Sequence, residues 1–186
     1  MRSLVLFVLV VLPSLALSQS YKIDGGSIVV SKIVEDIEGS TGEIYGRVKS
    51  FFVRSYGDAN SVIQTDDKEG GLIIGKGLYT KLASFNLGAW TLKAYHTLRV
   101  DIKQGRARII CSASTVIPNS SSYPGNTYEY VIVDHAPITD KRASGATKGA
   151  QKEAFDNLVA RMNSTVDALA EAVKGGGLLE SEKDDW

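Results

Sequence analysis

The sequence is poor in the residues that carry out covalent and metal chemistry. Its 186 residues include one cysteine and two histidines. The lone Cys111 excludes an intramolecular disulfide. With only His96 and His135 besides it, a zinc site would need carboxylates from distant segments, and no ligand spacing points to one. Charge of neither sign dominates: 21 Lys and Arg face 21 Asp and Glu. The chain therefore has no general pull towards nucleic acid or anionic membrane. Long apolar runs are absent beyond the first 17 residues. What is plentiful is ordinary core material, at 44% hydrophobic residues, enough for one domain and too much for a disordered chain.

The single apolar run has its own explanation. Arg2 precedes a stretch from Leu4 to Leu17 broken only by Pro13 and Ser14, and Ala16-Leu17-Ser18 is a small-x-small site before Gln19. Residues 1–18 are expected to be a signal peptide, because the run is shorter than the ~20 residues that span a bilayer. Export to the periplasm, the cell envelope or the extracellular space is then expected, with no transmembrane segment after cleavage.

Residues 19–26 read as a loose lead-in to a domain over 27–174. A β-branched strand runs from Ile28 to about Ile37, and Gly39 breaks it. Ser40-Thr41-Gly42-Glu43 is a capping-box pattern. Behind it Ile44, Val48, Phe51, Phe52 and Ser55 recur at helical spacing until Gly57. Strands are then expected over 62–65 and 72–80, around the acidic turn Asp66-Asp67-Lys68-Glu69-Gly70-Gly71, with a looser segment over 83–89.

The clearest signal is the alternation over 91–103. Leu92, Ala94, His96, Leu98, Val100 and Ile102 fall on one face, and Tyr95, Thr97, Arg99 and Asp101 on the other. Gln104-Gly105 turns the chain back into a strand over 106–117. Pairing Lys103 with Arg106 places Val100 opposite Ile109, Leu98 opposite Cys111, His96 opposite Ala113, Thr97 opposite Ser112 and Tyr95 opposite Ser114. A one-residue slip would mix polar and apolar on both faces. A polar loop over 118–127 and a strand over 128–133 follow. From Ala150 a long helix carries Phe155, Leu158, Val159, Met162, Val166, Leu169, Ala170 and Val173 on one face and closes at Lys174-Gly175. Residues 175–186 read as a disordered acidic tail. The whole predicts an α+β domain, order β-α-β-β-β-β-(β)-α, with two helices on one side of a curved antiparallel sheet.

Three chemical motifs fail on inspection. Gly70-x-x-x-x-Gly75-Lys76 imitates a P-loop, but Leu-Ile-Ile fills its interior and Gly77 stands where the metal-binding hydroxyl belongs. Asp66, Asp67 and Glu69 lack the alternating oxygen pattern of a calcium loop. His96 lies on the apolar face, where a core role outweighs a catalytic one, and Cys111 in its strand reads as a buried apolar residue.

The string Glu43-Ile44-Tyr45-x-Arg47-Val48-Lys49-x-Phe51-Phe52, followed by Val62-Ile63-Gln64 and Asp67-Lys68-Glu69-x-Gly71-x-Ile73-Ile74-Gly75-Lys76-Gly77, resembles the exported bacterial family "domain of unknown function 4468". The resemblance covers about residues 28–115. It implies a TBP-like fold in the bacterial envelope and carries over no catalytic residue. A TBP-like sheet raises the question of DNA. The polar face offers Lys93, Arg99, Lys103, Arg106 and Arg108, but Asp101 interrupts them, and the neutral chain and the export signal argue for no nucleic acid.

Neither an enzyme's constellation nor a cofactor or metal site emerges. The expectation is a non-enzymatic envelope module that binds an envelope protein or small ligand on its open sheet face, through Tyr95, Thr97, Arg99, Arg108, Ser112 and Ser114. The alternative is a carrier of a lipid or small apolar ligand, with a helix-grip cavity behind the long helix.

Overall fold

In a computed structural model of the chain, residues 20–57, 59–120, 130–131 and 146–175 are described. Residues 1–19, on which the expected signal peptide falls, most of the 121–145 segment with His135, and the acidic residues after 175 lie outside them.

The chain forms β1 (Lys22–Asp24), β2 (Ser27–Val34), α1 (Thr41–Tyr56), a short α2 (Ala59–Val62), β3 (Ile63–Asp67), β4 (Leu72–Phe85), β5 (Trp90–Lys103), β6 (Arg106–Ala113), β7 (Thr115–Asn119), β8 (Tyr130–Val131) and a long α3 (Lys148–Val173). The sheet is antiparallel in the order β1-β2-β6-β5-β4-β3, with β7 also on β5 and β8 on β7. α1 packs on β4, β5 and α3, and α3 packs on β4, β2 and β6.

The two helices form where the sequence places them. At the start of α1 the Ser40 hydroxyl accepts from the Glu43 amide at 3.3 Å, while the Glu43 carboxylate takes the Ser40 amide at 2.6 Å. The Ser40 amide, followed by the Ser40 hydroxyl, which also donates to that carboxylate at 2.8 Å, holds the Glu43 carboxyl below its usual range. The expected apolar faces are buried, Ile44, Val48, Phe51 and Phe52 on α1 and all eight positions on α3; Ser55 is exposed. Thr147 caps α3, which starts two residues before Ala150. The helices are also tied to each other. Arg47 of α1 donates to the carbonyl of Val173 at 2.9 Å and to that of Glu38 at 2.8 Å, a cation at the negative end of the α3 dipole.

The central hairpin pairs in the expected register: Lys103 with Arg106, Val100 with Ile109, Leu98 with Cys111, Thr97 with Ser112. All six apolar-face positions of β5 are buried. Leu98→Ala therefore removes a wholly enclosed side chain and is expected to cost about 2–5 kcal/mol in denaturant unfolding, whereas Thr97→Ala stays within about 0.5 kcal/mol.

Five boundaries differ from the expectation. Residues 22–24 are a strand, not a lead-in, because Gly25 and Gly26, both at positive φ, fold them back on β2. β2 ends at Val34; Asp36 turns with φ 56°, and the Ile37 amide bonds the Gly105 carbonyl at 2.9 Å. β3 starts at Ile63, after the single turn of α2. The expected loose segment over 83–89 is strand as far as Phe85. Lys81 sits at φ 53° in a bulge of β4, so Leu82 and Ala83 both face inward and the alternation that would reveal the strand is broken. α3 accepts the bulge: Arg161 donates to the Thr80 carbonyl at 2.6 Å and Asn157 to the Leu82 carbonyl at 2.8 Å.

The fifth difference bears on the candidate site. The returning strand is broken at Ser114. β6 pairs β5 as far as Ser112 with Thr97, and the chain rejoins β5 as β7, with Ile117 opposite Lys93 and Pro118 opposite Leu92. The change of register is one residue, so the pairings of Tyr95 with Ser114 and of His96 with Ala113 do not form. Pro118 belongs to β7 and not to the loop after it.

Candidate functional site

The sheet separates two populations of side chains, and the register shows which strand supplies each. On the helix side, Val30, Cys111, Leu98 and Gly75 lie in one row across β2, β6, β5 and β4. The next row runs Lys32, Ile109, Val100, Ile73, Asp66. Its two charged ends reach round to the helices: Lys32 pairs with Asp167 of α3 at 2.7 Å, and Asp66 takes Lys49 of α1 at 2.7 Å and the Tyr45 hydroxyl.

The two glycines of the P-loop-like string belong to this packed side. A Cβ on Gly75 would lie 2.3 Å from Cε1 of Phe52, and one on Gly77 would lie 2.5 Å from ring carbons of both His96 and Tyr56. They are glycines because three rings from α1 and β5 rest on the strand backbone there. Lys76 between them points to the other face, and β4 continues as strand, so the string forms no P-loop.

His96, directly opposite Gly77, is the centre of a buried polar cluster. It is 2% exposed. Its Nε2 shares a 2.7 Å hydrogen bond with the Tyr56 hydroxyl, and Tyr79 stacks on it with centroids 3.8 Å apart. The Tyr79 hydroxyl bonds Thr165 of α3 at 2.7 Å and lies 3.8 Å from the Cys111 sulfur. Burial pushes the His96 pKa down to about 4 and the Cys111 thiol up to about 12, and raises both tyrosines. The imidazole is thus neutral and the thiol unreactive, and the cluster fastens α1, the sheet and α3 together. An open cleft of about 300 Å³ between the helices is floored by His96, Tyr56 and Tyr79.

On the far side the rows read Val29, Ser112, Thr97, Lys76; then Ser31, Ile110, Arg99, Ile74; then Ile33, Arg108, Asp101, Leu72. Four of the six candidate residues, Tyr95, Thr97, Ser112 and Ser114, come together around a concavity of about 360 Å³ over the Ser114 break. Lys76, Ser27 and Thr115 complete its polar rim, with the Lys76 ammonium 4.7 Å above the Tyr95 ring. The other two candidates stand apart. Arg99 and Arg108 clasp Asp101 at 2.6 and 3.0 Å, and the bond from Arg99, followed by that from Arg108, keeps the Asp101 carboxyl below its usual range. Lys76 is the residue that sequence reasoning misses; only the register of β4 against β5 brings it to Thr97.

Among the described residues no group of three His, Cys, Asp or Glu could hold a metal ion, and no helix is long and apolar enough to cross a membrane.

Helices on one face of an open, curved antiparallel sheet define an α+β domain of TBP-like fold. Residues 32–113 match the family described as "Domain of unknown function (DUF4468) with TBP-like fold", which bears out the resemblance over that stretch. The chain is similar in structure to a DUF4468 family protein from Bacteroides ovatus, with 16% identity, a TM-score of 0.58, and coverage of 84% of this chain and 91% of that one. It is likewise similar to a TBP-like protein from Parabacteroides distasonis, with 16% identity, a TM-score of 0.53, and coverage of 78% and 96%. No curated protein matches the chain. At such identities the likeness concerns the fold.

Proposed function

We propose that the domain is a non-enzymatic binding module of the bacterial envelope, exported by its leader, that holds a small ligand on the open sheet face. The observation that supports this reading is the concavity over the Ser114 break. Its volume lies in the range of small-molecule sites, it gathers four side chains that alternation alone assigns to the open face, and it sits at a bulge, the device by which sheets interrupt pairing beside functional surfaces. Convergent acid, base and nucleophile, which an enzyme needs, have no counterpart around it. A role on nucleic acid draws little support, since Asp101 occupies Arg99 and Arg108, two of the three open-face arginines. The apolar-carrier reading draws less support, because Leu158, Met162, Leu169 and Val173 of α3 are fully enclosed against the sheet and the cleft between the helices is floored by the polar His96 cluster.

Native mass spectrometry of the protein purified from its own envelope tests the proposal. A co-purifying ligand mass is expected, retained in Ser50→Trp on the exposed side of α1 and lost in Thr97→Trp. Loss in Ser164→Trp at the cleft, with retention in Thr97→Trp, would favour the carrier instead.

A further inference from the structure

We propose that the concavity is an oxyanion subsite: Lys76 and the surrounding hydroxyls receive a phosphate, sulfate or carboxylate group borne on a larger molecule. The inference rests on the open-face reading and names the chemistry that such a ligand must present. Ser27, Thr97, Ser112, Ser114 and Thr115 contribute five side-chain hydroxyls and Tyr95 a phenol, around one ammonium. A hydroxyl can turn its proton towards whatever it faces, and an ammonium has three donors and no acceptor. The rim can thus supply donors alone, which is what an oxyanion needs.

Competing chemistries fit less well. A cation would meet Lys76 with no carboxylate in the lining. The acids nearest by register are Asp24, opposite Ser27 across the β1–β2 hairpin and paired with Lys22 at 3.5 Å, and Asp101, four residues from Thr97 and so about 13 Å along β5, already held by two arginines. A neutral sugar is usually gripped by planar polar side chains that both donate and accept, and by a bare aromatic face. Asn, Gln, Asp, Glu and Arg are missing from the lining, and the Tyr95 face is covered by Lys76. The chain as a whole is neutral, so the positive charge here is local. The space, about 360 Å³, exceeds by several-fold the ≈ 30 Å³ share of a water molecule, which leaves room for the group that carries the anion.

Amide NMR titration of the purified protein decides the matter, with glucose 6-phosphate, inorganic phosphate, glucose and phosphatidylglycerol vesicles as separate probes. Saturable shifts are expected at Lys76, Thr97, Ser112 and Ser114 with glucose 6-phosphate. Affinity should fall at least tenfold in Lys76→Gln and weaken with added salt, while glucose produces no shifts. Shifts with the soluble ester alone assign a soluble ligand, and shifts at the same residues with the vesicles assign a lipid headgroup; both support the oxyanion chemistry. Binding unchanged in Lys76→Gln, equal shifts with glucose, or no response to any anionic probe would overturn it. If the ligand retained in native mass spectrometry still depends on Thr97 in that case, the open-face reading stands and only its oxyanion chemistry falls.

Discussion

Gly75→Ala and Gly77→Ala should each destabilise the domain, while Gly46→Ala should stabilise it. The ordinary effect of replacing glycine by alanine in a regular element is favourable by about 0.5–1 kcal/mol, because the unfolded chain loses freedom that it would otherwise forfeit on folding. Gly46, exposed in the middle of α1 with nothing within 4 Å of a built Cβ, should show that gain. At Gly75 and Gly77 the new methyl would lie 2.3 and 2.5 Å from the Phe52, His96 and Tyr56 rings. Overpacking of this kind costs about 1–3 kcal/mol, which outweighs the backbone gain and reverses the sign. Coupling distinguishes the cause. Phe52→Leu shortens the side chain over Gly75, so the cost of Gly75→Ala should shrink in that background, whereas the cost of Gly77→Ala should remain. Additive effects in the first pair would mean that Phe52 does not rest on the strand.

The second large effect is a loss of stability on mild acidification, centred on His96. Its folded pKa is lowered from 6.5 to about 4 by burial. The unfolded chain therefore binds the proton first, and stability present at neutral pH is lost as the pH falls from 6.5 towards 4. A lowering of that size corresponds to about 3 kcal/mol across the whole window, of which about 2 kcal/mol should be gone at pH 5. The surroundings explain why the proton is refused. Nε2 is taken up with Tyr56, Nδ1 is buried without a partner among the described residues, and Tyr79, Cys111 and Thr165 offer no carboxylate. The carboxylates that the fold holds low, Glu43, Asp66 and Asp101, act in a lower window, because their contributions are lost as the pH falls through the ordinary values of 4.5 for Glu43 and 3.8 for the two aspartates. Urea unfolding at pH 7.5 and 5 for wild type and His96→Asn checks this: the wild-type difference should disappear in the variant, whatever its own stability. An unchanged difference would place the titration elsewhere.

The parts of this fold that are legible in the sequence are those in which one strand or helix carries its own evidence. The period-two pattern of β5 separates Leu98 from Thr97, and the requirement that β6 match it on both faces leaves one register. Ser40 with Glu43, and the apolar stripe from Phe155 to Val173, mark the helices for the same reason. Legibility fails where the pattern is local no longer. Lys22-Ile23-Asp24 has no apolar alternation, since all three residues are exposed, and only the two glycines after it explain why it pairs. The bulge at Lys81 puts Leu82 and Ala83 on the same side, and the break at Ser114 shifts the register by one residue; neither leaves a distinctive composition. The meaning of Gly75-Lys76-Gly77 is the clearest case. The glycines answer to Phe52, Tyr56 and His96, all some 20 residues away in the chain. Lys76 acquires its setting from Tyr95, Thr97 and Ser112 on two other strands.

The central claim is that alternate residues of β5 serve different ends, packing on one face and recognition on the other. A substitution scan along 91–103, reading both denaturant stability and retention of the co-purifying ligand in native mass spectrometry, tests it most directly. Changes at Leu92, His96, Leu98, Val100 and Ile102 should cost stability. Changes at Tyr95 and Thr97 should leave stability intact and release the ligand, with Arg99 and Asp101 affecting neither strongly. Loss of stability at Tyr95 and Thr97, or ligand release confined to the helix-facing positions, would contradict the account.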